Sequence, residues 1–263
     1  MAELEAIKPG NVHVFADGHG MVVQDFITSA RVASAEIAVT ELSVGQRILN
    51  AVNATVKAVG CNTNLGIVLL AAPLIHASIR RMPLHQVLQD LTVEDAVLCY
   101  QAITLASPAG LGEVAEHDVR THPSVTLLQA MQAASGLDRI AYQYASAYED
   151  VLGFGAARFE EALLRWDNPS WAVTATYLGF LAKFPDTHVM RKHGLKAAQD
   201  LQQQAMAYER GYMEHENPKK YLGELLRYDT NLKQNGLNPG TSADLTVATL
   251  LARLLDMGKV QFK

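Results

Sequence analysis

The chain has 263 residues, of which 49% are hydrophobic, 19% charged and 7% aromatic, a balance that excludes intrinsic disorder and leaves enough apolar mass for a large core. Its 22 basic and 27 acidic side chains give a formal net charge of −5, which argues against nucleic-acid binding through a broad basic face but leaves room for a local cationic pocket. Two cysteines, Cys61 and Cys99, are too few for a disulfide framework or a cysteine-ligated zinc, so a reduced, cytoplasmic setting is expected.

The segment Met1 to Gly10 carries Glu3 and Glu5 and lacks an apolar h-region, so it does not read as a secretory signal. The most apolar run, Leu65 to Ile75, contains Pro73 and falls well short of the ~20 residues that cross a bilayer. A buried helix and no membrane partner are the expectation. Helical periodicity dominates the chain. Phe26, Ala30, Ala33 and Ile37 share one stripe, and Ile48, Leu49, Val52, Val56 and Val59 share another. Thr92 with Asp95 resembles a capping box opening a helix through Val97, Leu98, Ile103 and Leu105, which Ser107-Pro108 ends. Further helices are predicted from about Ser124, Asp138, Ala156, Ser170, Leu195, Pro218 and Ala243. Alternating strand patterns are absent and no composition shift or linker marks a boundary. An all-α fold in one domain spanning residues 1–263 is predicted.

Five polar segments interrupt this pattern. Lys8-Pro9-Gly10-Asn11-Val12-His13, followed by Asp17-Gly18-His19-Gly20 and Asp25, combines free backbone amides with Lys8 and His13, and suits an anion as well as an ordinary loop. Gly60-Cys61-Asn62-Thr63-Asn64-Leu65-Gly66 puts three hydrogen-bonding side chains at the start of the apolar helix, where one would suffice as a cap. In Pro185 to Gly194, the Asp186 and Thr187 oxygens suit a hard cation such as Mg2+, while Arg191, Lys192 and His193 suit phosphate. Asn238 to Leu245 is a turn leading to a helix start at Thr241 or Ser242, with Asp244 in the first turn. Gly110-Leu111-Gly112 with His117-Asp118 carries less. Glu214-His215-Glu216 reads as a solvated face, and Cys61 as a buried small hydrophobe rather than a reactive thiol. Nucleophile-elbow, Walker and dinucleotide motifs are all absent.

These segments, in order and spread over nearly the whole chain, resemble the triphosphoribosyl-dephospho-CoA synthase family. Lys8-Pro9-Gly10 and Gly18-His19-Gly20 are similar to its N-terminal elements, and Asn62-Thr63 to its Asn-Thr segment. Asp186-Thr187 with Arg191 and Gly194, and Pro239 to Leu245, are similar to its C-terminal boxes. Asn64-Leu65-Gly66 stands where members often read His-Lys-Gly, and Arg191-Lys192-His193-Gly194 where they read Arg-Gly-Gly, as in a divergent branch.

The resemblance implies an all-α transferase that joins the triphosphoribosyl group of ATP to a ribose hydroxyl of 3′-dephospho-CoA and releases adenine. It implies ATP as substrate, a coenzyme-precursor acceptor, and Mg2+ on the triphosphate, and leaves the oligomeric state open, a homodimer among the options. Such chemistry needs a carboxylate near the anomeric carbon, acid–base groups and cations for phosphate. On these terms Asp186 and Asp244 are expected to serve the metal or the oxocarbenium centre, and Asp17 and His19 proton transfer. Lys8, Gly10, Asn62, Thr63, Asn64, Thr187, Arg191, Lys192, His193 and Ser242 are expected to bind substrate or phosphate. The alternatives are ribosyl transfer to another precursor such as a pterin-type C1 carrier, a magnesium-dependent ADP-ribosyl hydrolase, and a nucleotide-binding helical protein without catalysis.

Overall fold

The computed structural model describes residues 2–18, 20–106 and 123–256. In chain order the helices are α1 (Ala2–Glu5), α2 (Val23–Ile37), α3 (Val44–Val59), α4 (Leu65–Arg80), α5 (Leu84–Gln89), α6 (Val93–Ala106), α7 (Leu127–Ala134) and α8 (Arg139–Ala145). A π-helical turn (Asp150–Gly155) leads into α9 (Ala156–Trp166), α10 (Pro169–Lys183) and α11 (Thr187–Glu214). A 3-10 turn (Pro218–Tyr221) then precedes α12 (Leu222–Gln234) and α13 (Gly240–Leu254). Among the described residues the only β pairing is two isolated bridges, His13 with Ala16 and Gly18 with Met21. The fold is all-α, as the sequence predicts, and no helix among the described residues is long and apolar enough to cross a membrane.

The chain packs as two compact units, in which Gln24–Glu149 is inserted between a segment ending at Val23 and Asp150–Arg253. In the unit built on Asp150–Arg253, α10 is the central rod. Every residue from Ala172 to Ala182 is buried, because its sequence is apolar around the whole circumference rather than on one stripe. Thr176 returns its hydroxyl to the Ala172 carbonyl at 2.8 Å, so its burial leaves no donor unpaired. Helices α9 and α11 flank it. Full burial of side chains such as Leu178, Phe180 and Leu181 contributes about 1.5–3 kcal/mol each. Gly155 allows the π turn to close on this core, since a Cβ there would lie 2.4 Å from Thr249 Oγ1 and 2.6 Å from Phe180 Cζ.

In the inserted unit, α3 packs lengthwise on α6. The capping box predicted at Thr92 is present. Asp95 takes the Thr92 amide at 3.0 Å and hydroxyl at 2.8 Å, while Thr92 Oγ1 accepts the Asp95 amide at 3.1 Å. Asp95 also accepts the Ser43 hydroxyl and the Gly45 amide at the start of α3. Arg47 is fully buried and gives its guanidinium to the carbonyls of Ile37, the last residue of α2, and of Val39 and Thr40 just beyond it, a C-terminal cap supplied by another helix.

The run Leu65 to Ile75 is the predicted buried helix, and Pro73 lies inside it without ending it. Proline cannot donate to the carbonyl four residues back, at Leu69. Tyr144 donates its hydroxyl to the Leu69 carbonyl at 2.6 Å, and Tyr148 donates to Leu70 at 2.9 Å. The buried face of α2 is Ser29, Ala33 and Ile37, one step round from the predicted stripe. Ala30 is exposed and Phe26 half-buried.

Candidate active site

The N-terminal loop is held in place by residues far along the chain. Gly10 adopts φ +83°, where a Cβ would lie 2.7 Å from Pro239 Cδ and 2.9 Å from the Leu237 carbonyl oxygen. Only glycine can turn there. Its amide donates to Asp229 Oδ1 at 2.9 Å, Tyr177 donates its hydroxyl to the Pro9 carbonyl at 2.6 Å, and Asn11 Nδ2 donates to Asn238 Oδ1 at 2.9 Å. The Lys-Pro-Gly loop and the Asn-Pro-Gly turn before α13 are thereby interlocked. Lys8 is 1% exposed. Burial lowers its pKa to about 7, opposed by the nearby Asp244 carboxylate and reinforced by Lys233. Near neutral pH a small change in surroundings switches its charge.

Helices α11 and α13 start side by side. Asp186 caps α11, its Oδ1 accepting the His188 and Val189 amides at 3.0 and 3.1 Å. Its Oδ2 accepts both the amide and the hydroxyl of Ser242 at 2.8 Å each. Thr187 and Thr241 join hydroxyls at 3.0 Å, and the His188 amide also donates to Thr241 Oγ1. Burial nevertheless outweighs these donors and holds the Asp186 carboxyl above the usual carboxylate range. Asp244 lies one turn into α13, within electrostatic reach of Lys8.

Farther along α11 the backbone leaves the helix at Gly194 (φ 85°, ψ 163°). Arg191, Lys192, His193 and Gly194 are all exposed, so the break presents a cationic edge. Asp17 is exposed and accepts the Val23 amide at the start of α2 at 3.2 Å. His19 and the Gly110 to Asp118 segment lie outside the described residues.

In the inserted unit each polar residue before α4 has a structural partner. Asn62 Oδ1 accepts the Asn64 and Leu65 amides, Thr63 donates to Ser29 Oγ at 2.6 Å, and Asn64 Nδ2 donates to Thr55 Oγ1 at 3.1 Å. Three polar side chains in a row are thus needed to start one buried helix, which capping by a single residue does not explain. Cys61 is exposed, contrary to the expectation of burial, because Gly60 ends α3 in a left-handed turn that directs the next residues outward. Desolvation and Asp25 raise its thiol pKa, so it is no activated nucleophile.

As it stands, Asp186 does not fit a metal. Two protein donors on each oxygen occupy the carboxylate's lone pairs, and no cluster of three His, Cys, Asp or Glu among the described residues could hold an ion.

Sequence reasoning missed Asp229. It is 2% exposed on α12, Oδ1 lies 3.4 Å from His13 Nε2, and Oδ2 lies 3.0 Å from Lys233 Nζ. Those partners and the Gly10 amide outweigh desolvation and hold its pKa low. The available signal was an aspartate inside the apolar stripe Leu225, Tyr228, Asp229 and Leu232.

A helical fold that interlocks a buried lysine loop with paired helix starts, beside a cationic helix break, has the parts of an all-α transferase acting on a phosphorylated substrate. Residues 1–261 match the model of the ATP:dephospho-CoA triphosphoribosyl transferase family. The chain belongs to that family. A crystal structure from Archaeoglobus fulgidus, with the provisional name triphosphoribosyl-dephospho-CoA synthase, shares the fold. Its TM-score is 0.68 at 24% identity, covering 88% of this chain and 99% of that one. No curated protein sequence matches the chain.

Proposed function

We propose that this transferase binds ATP with magnesium on its triphosphate and moves the triphosphoribosyl group to a ribose hydroxyl of 3′-dephospho-CoA. The bond between the ribose anomeric carbon and adenine N9 breaks, and a bond to the acceptor oxygen forms. The acceptor's proton is balanced by the one that adenine carries away. The observation that supports this reading best is the interlock of the Lys8-Pro9-Gly10 loop with the turn at Pro239, which brings two family segments together in one unit.

In this reading Lys8 is a cation for the triphosphate, and Asp244 stabilises positive charge as the anomeric carbon loses adenine. Arg191, Lys192 and His193 meet phosphate oxygens at the Gly194 break, while the Thr187 and Ser242 hydroxyls, engaged by Thr241 and Asp186, hold the adjoining helix starts in place. Asp186 acts by holding the two helix starts together. Asp17 and His19 stay as acid–base candidates, whereas the hydrogen bonds of Asn62, Thr63 and Asn64 account for those residues as the start of α4.

Purified protein with ATP, magnesium and dephospho-CoA is expected to release adenine in step with acceptor consumption. Free triphosphoribose without a modified acceptor would instead establish hydrolysis. ATP binding with no adenine release in the presence of any hydroxyl acceptor would establish a binding protein.

A further inference from the structure

Lys8 itself lies in a loop without regular structure, so something must fix its direction. The loop is tied down at three points: Pro9 by Tyr177, Asn11 by Asn238, and Gly10 with His13 by Asp229. The third tie is the one that carries charge. Asp229 meets the Gly10 amide, the fully buried His13 and Lys233 within one carboxylate, and Lys233 also donates to the Ala16 carbonyl at 3.0 Å. The loop is therefore gripped on both sides of its turn by adjacent turns of α12. The same helix leads into the Asn238–Gly240 turn, so loop and turn are referenced to one rigid element.

We propose that Asp229 is a positioning residue for the transfer reaction, holding the Lys8–Gly10 turn against α12 so that the Lys8 amine meets the triphosphate of ATP. The inference rests on the ATP-dependent reading above. Asp229 is 2% exposed and is engaged by protein partners, so it serves the reaction from behind the loop rather than by contact with a substrate. Its effect passes through the loop backbone, so it acts on recognition of ATP and leaves the acceptor site alone. Buried carboxylates that merely stabilise a fold lower the folded fraction without distinguishing between two substrates.

The test compares full-length wild type, Asp229→Asn and Asp229→Ala by steady-state kinetics, ATP calorimetry and amide exchange across Lys8 to His13. Asn keeps an acceptor for the Gly10 amide but loses the charge facing His13 and Lys233, whereas Ala removes both. KM for ATP is expected to rise about tenfold or more in the Ala variant and about threefold in the Asn variant, with KM for dephospho-CoA moving less than about twofold. Exchange at Gly10 should rise in the same order. Equal rises in both KM values, or an unchanged KM for ATP in a folded Ala variant, overturn the proposal. Should the Ala variant fail to fold, the Asn variant decides, and its equality with wild type overturns the proposal. Absence of adenine release by wild type would sink the functional reading alone. ATP affinity would then decide for Asp229, a tenfold loss in the Ala variant sustaining its role and an unchanged Kd ending it.

Discussion

Ser242 gives both its amide and its hydroxyl to a single oxygen of Asp186, at 2.8 Å each, and so ties the start of α13 to the cap of α11. Asp95 does the same for α6 and α3 in the inserted unit. The pKa values of the two carboxylates nevertheless move in opposite directions. Asp95 is held below the usual range by its donors, whereas deeper burial raises Asp186.

That difference fixes a pH dependence. A raised folded pKa means that the folded chain binds the Asp186 proton more tightly than the unfolded chain does. The stability so gained is complete below the ordinary value of 3.8 and is lost as pH rises through the folded pKa. Asp186→Asn is expected to flatten this decline. Urea unfolding of both proteins from about pH 4 to 7 measures it, and parallel profiles would contradict it.

Lys8 offers a binding signature. With a pKa of about 7, the amine is mostly neutral at pH 8 in the free protein, and a bound triphosphate raises its pKa. ATP binding at pH 8 is expected to take up close to about one proton, falling toward none at pH 6, where the amine is already charged. Calorimetry in buffers of different ionisation enthalpy reads this directly. Lys8→Met should abolish the uptake.

Gly10→Ala adds a Cβ where Pro239 and the Leu237 carbonyl already stand, at a left-handed φ. Backbone strain alone costs about 1–3 kcal/mol, and the interlocked turn must also shift. Denaturant unfolding should show at least that loss, together with weaker ATP binding. An unchanged midpoint would mean that the loop does not hold this conformation in solution.

Tyr144→Phe isolates the repair of Pro73. It leaves the Leu69 carbonyl buried without its donor, at a cost of about 1–3 kcal/mol. The urea midpoint should fall, while adenine release at low temperature remains near wild type, because the substitution lies in the core of the inserted unit.

Features fixed by near neighbours were legible in the sequence. Thr92 and Asp95 signal a helix start because the capping box closes within four residues. The apolar run through Pro73 signals burial, although nothing local to Pro73 names Tyr144 as the donor that lets the helix continue. The two-unit division leaves no trace in composition, since both units are alanine-rich helices joined without a linker. Likewise, the motif segments around Lys8, Asp186 and Ser242 could be picked out as breaks in periodicity. Asp229 could not be assigned a partner, because its acceptor role depends on Gly10, 219 residues away.

That separation has a consequence during synthesis. At translation rates of about 5–20 residues per second, Asp229 emerges roughly 10–45 s after Gly10. By then the whole of Gln24–Glu149 has left the ribosome and can complete its own core. The Lys8 turn stays without its anchor until α12 appears, so this loop is expected to order late, after the inserted unit has had time to fold.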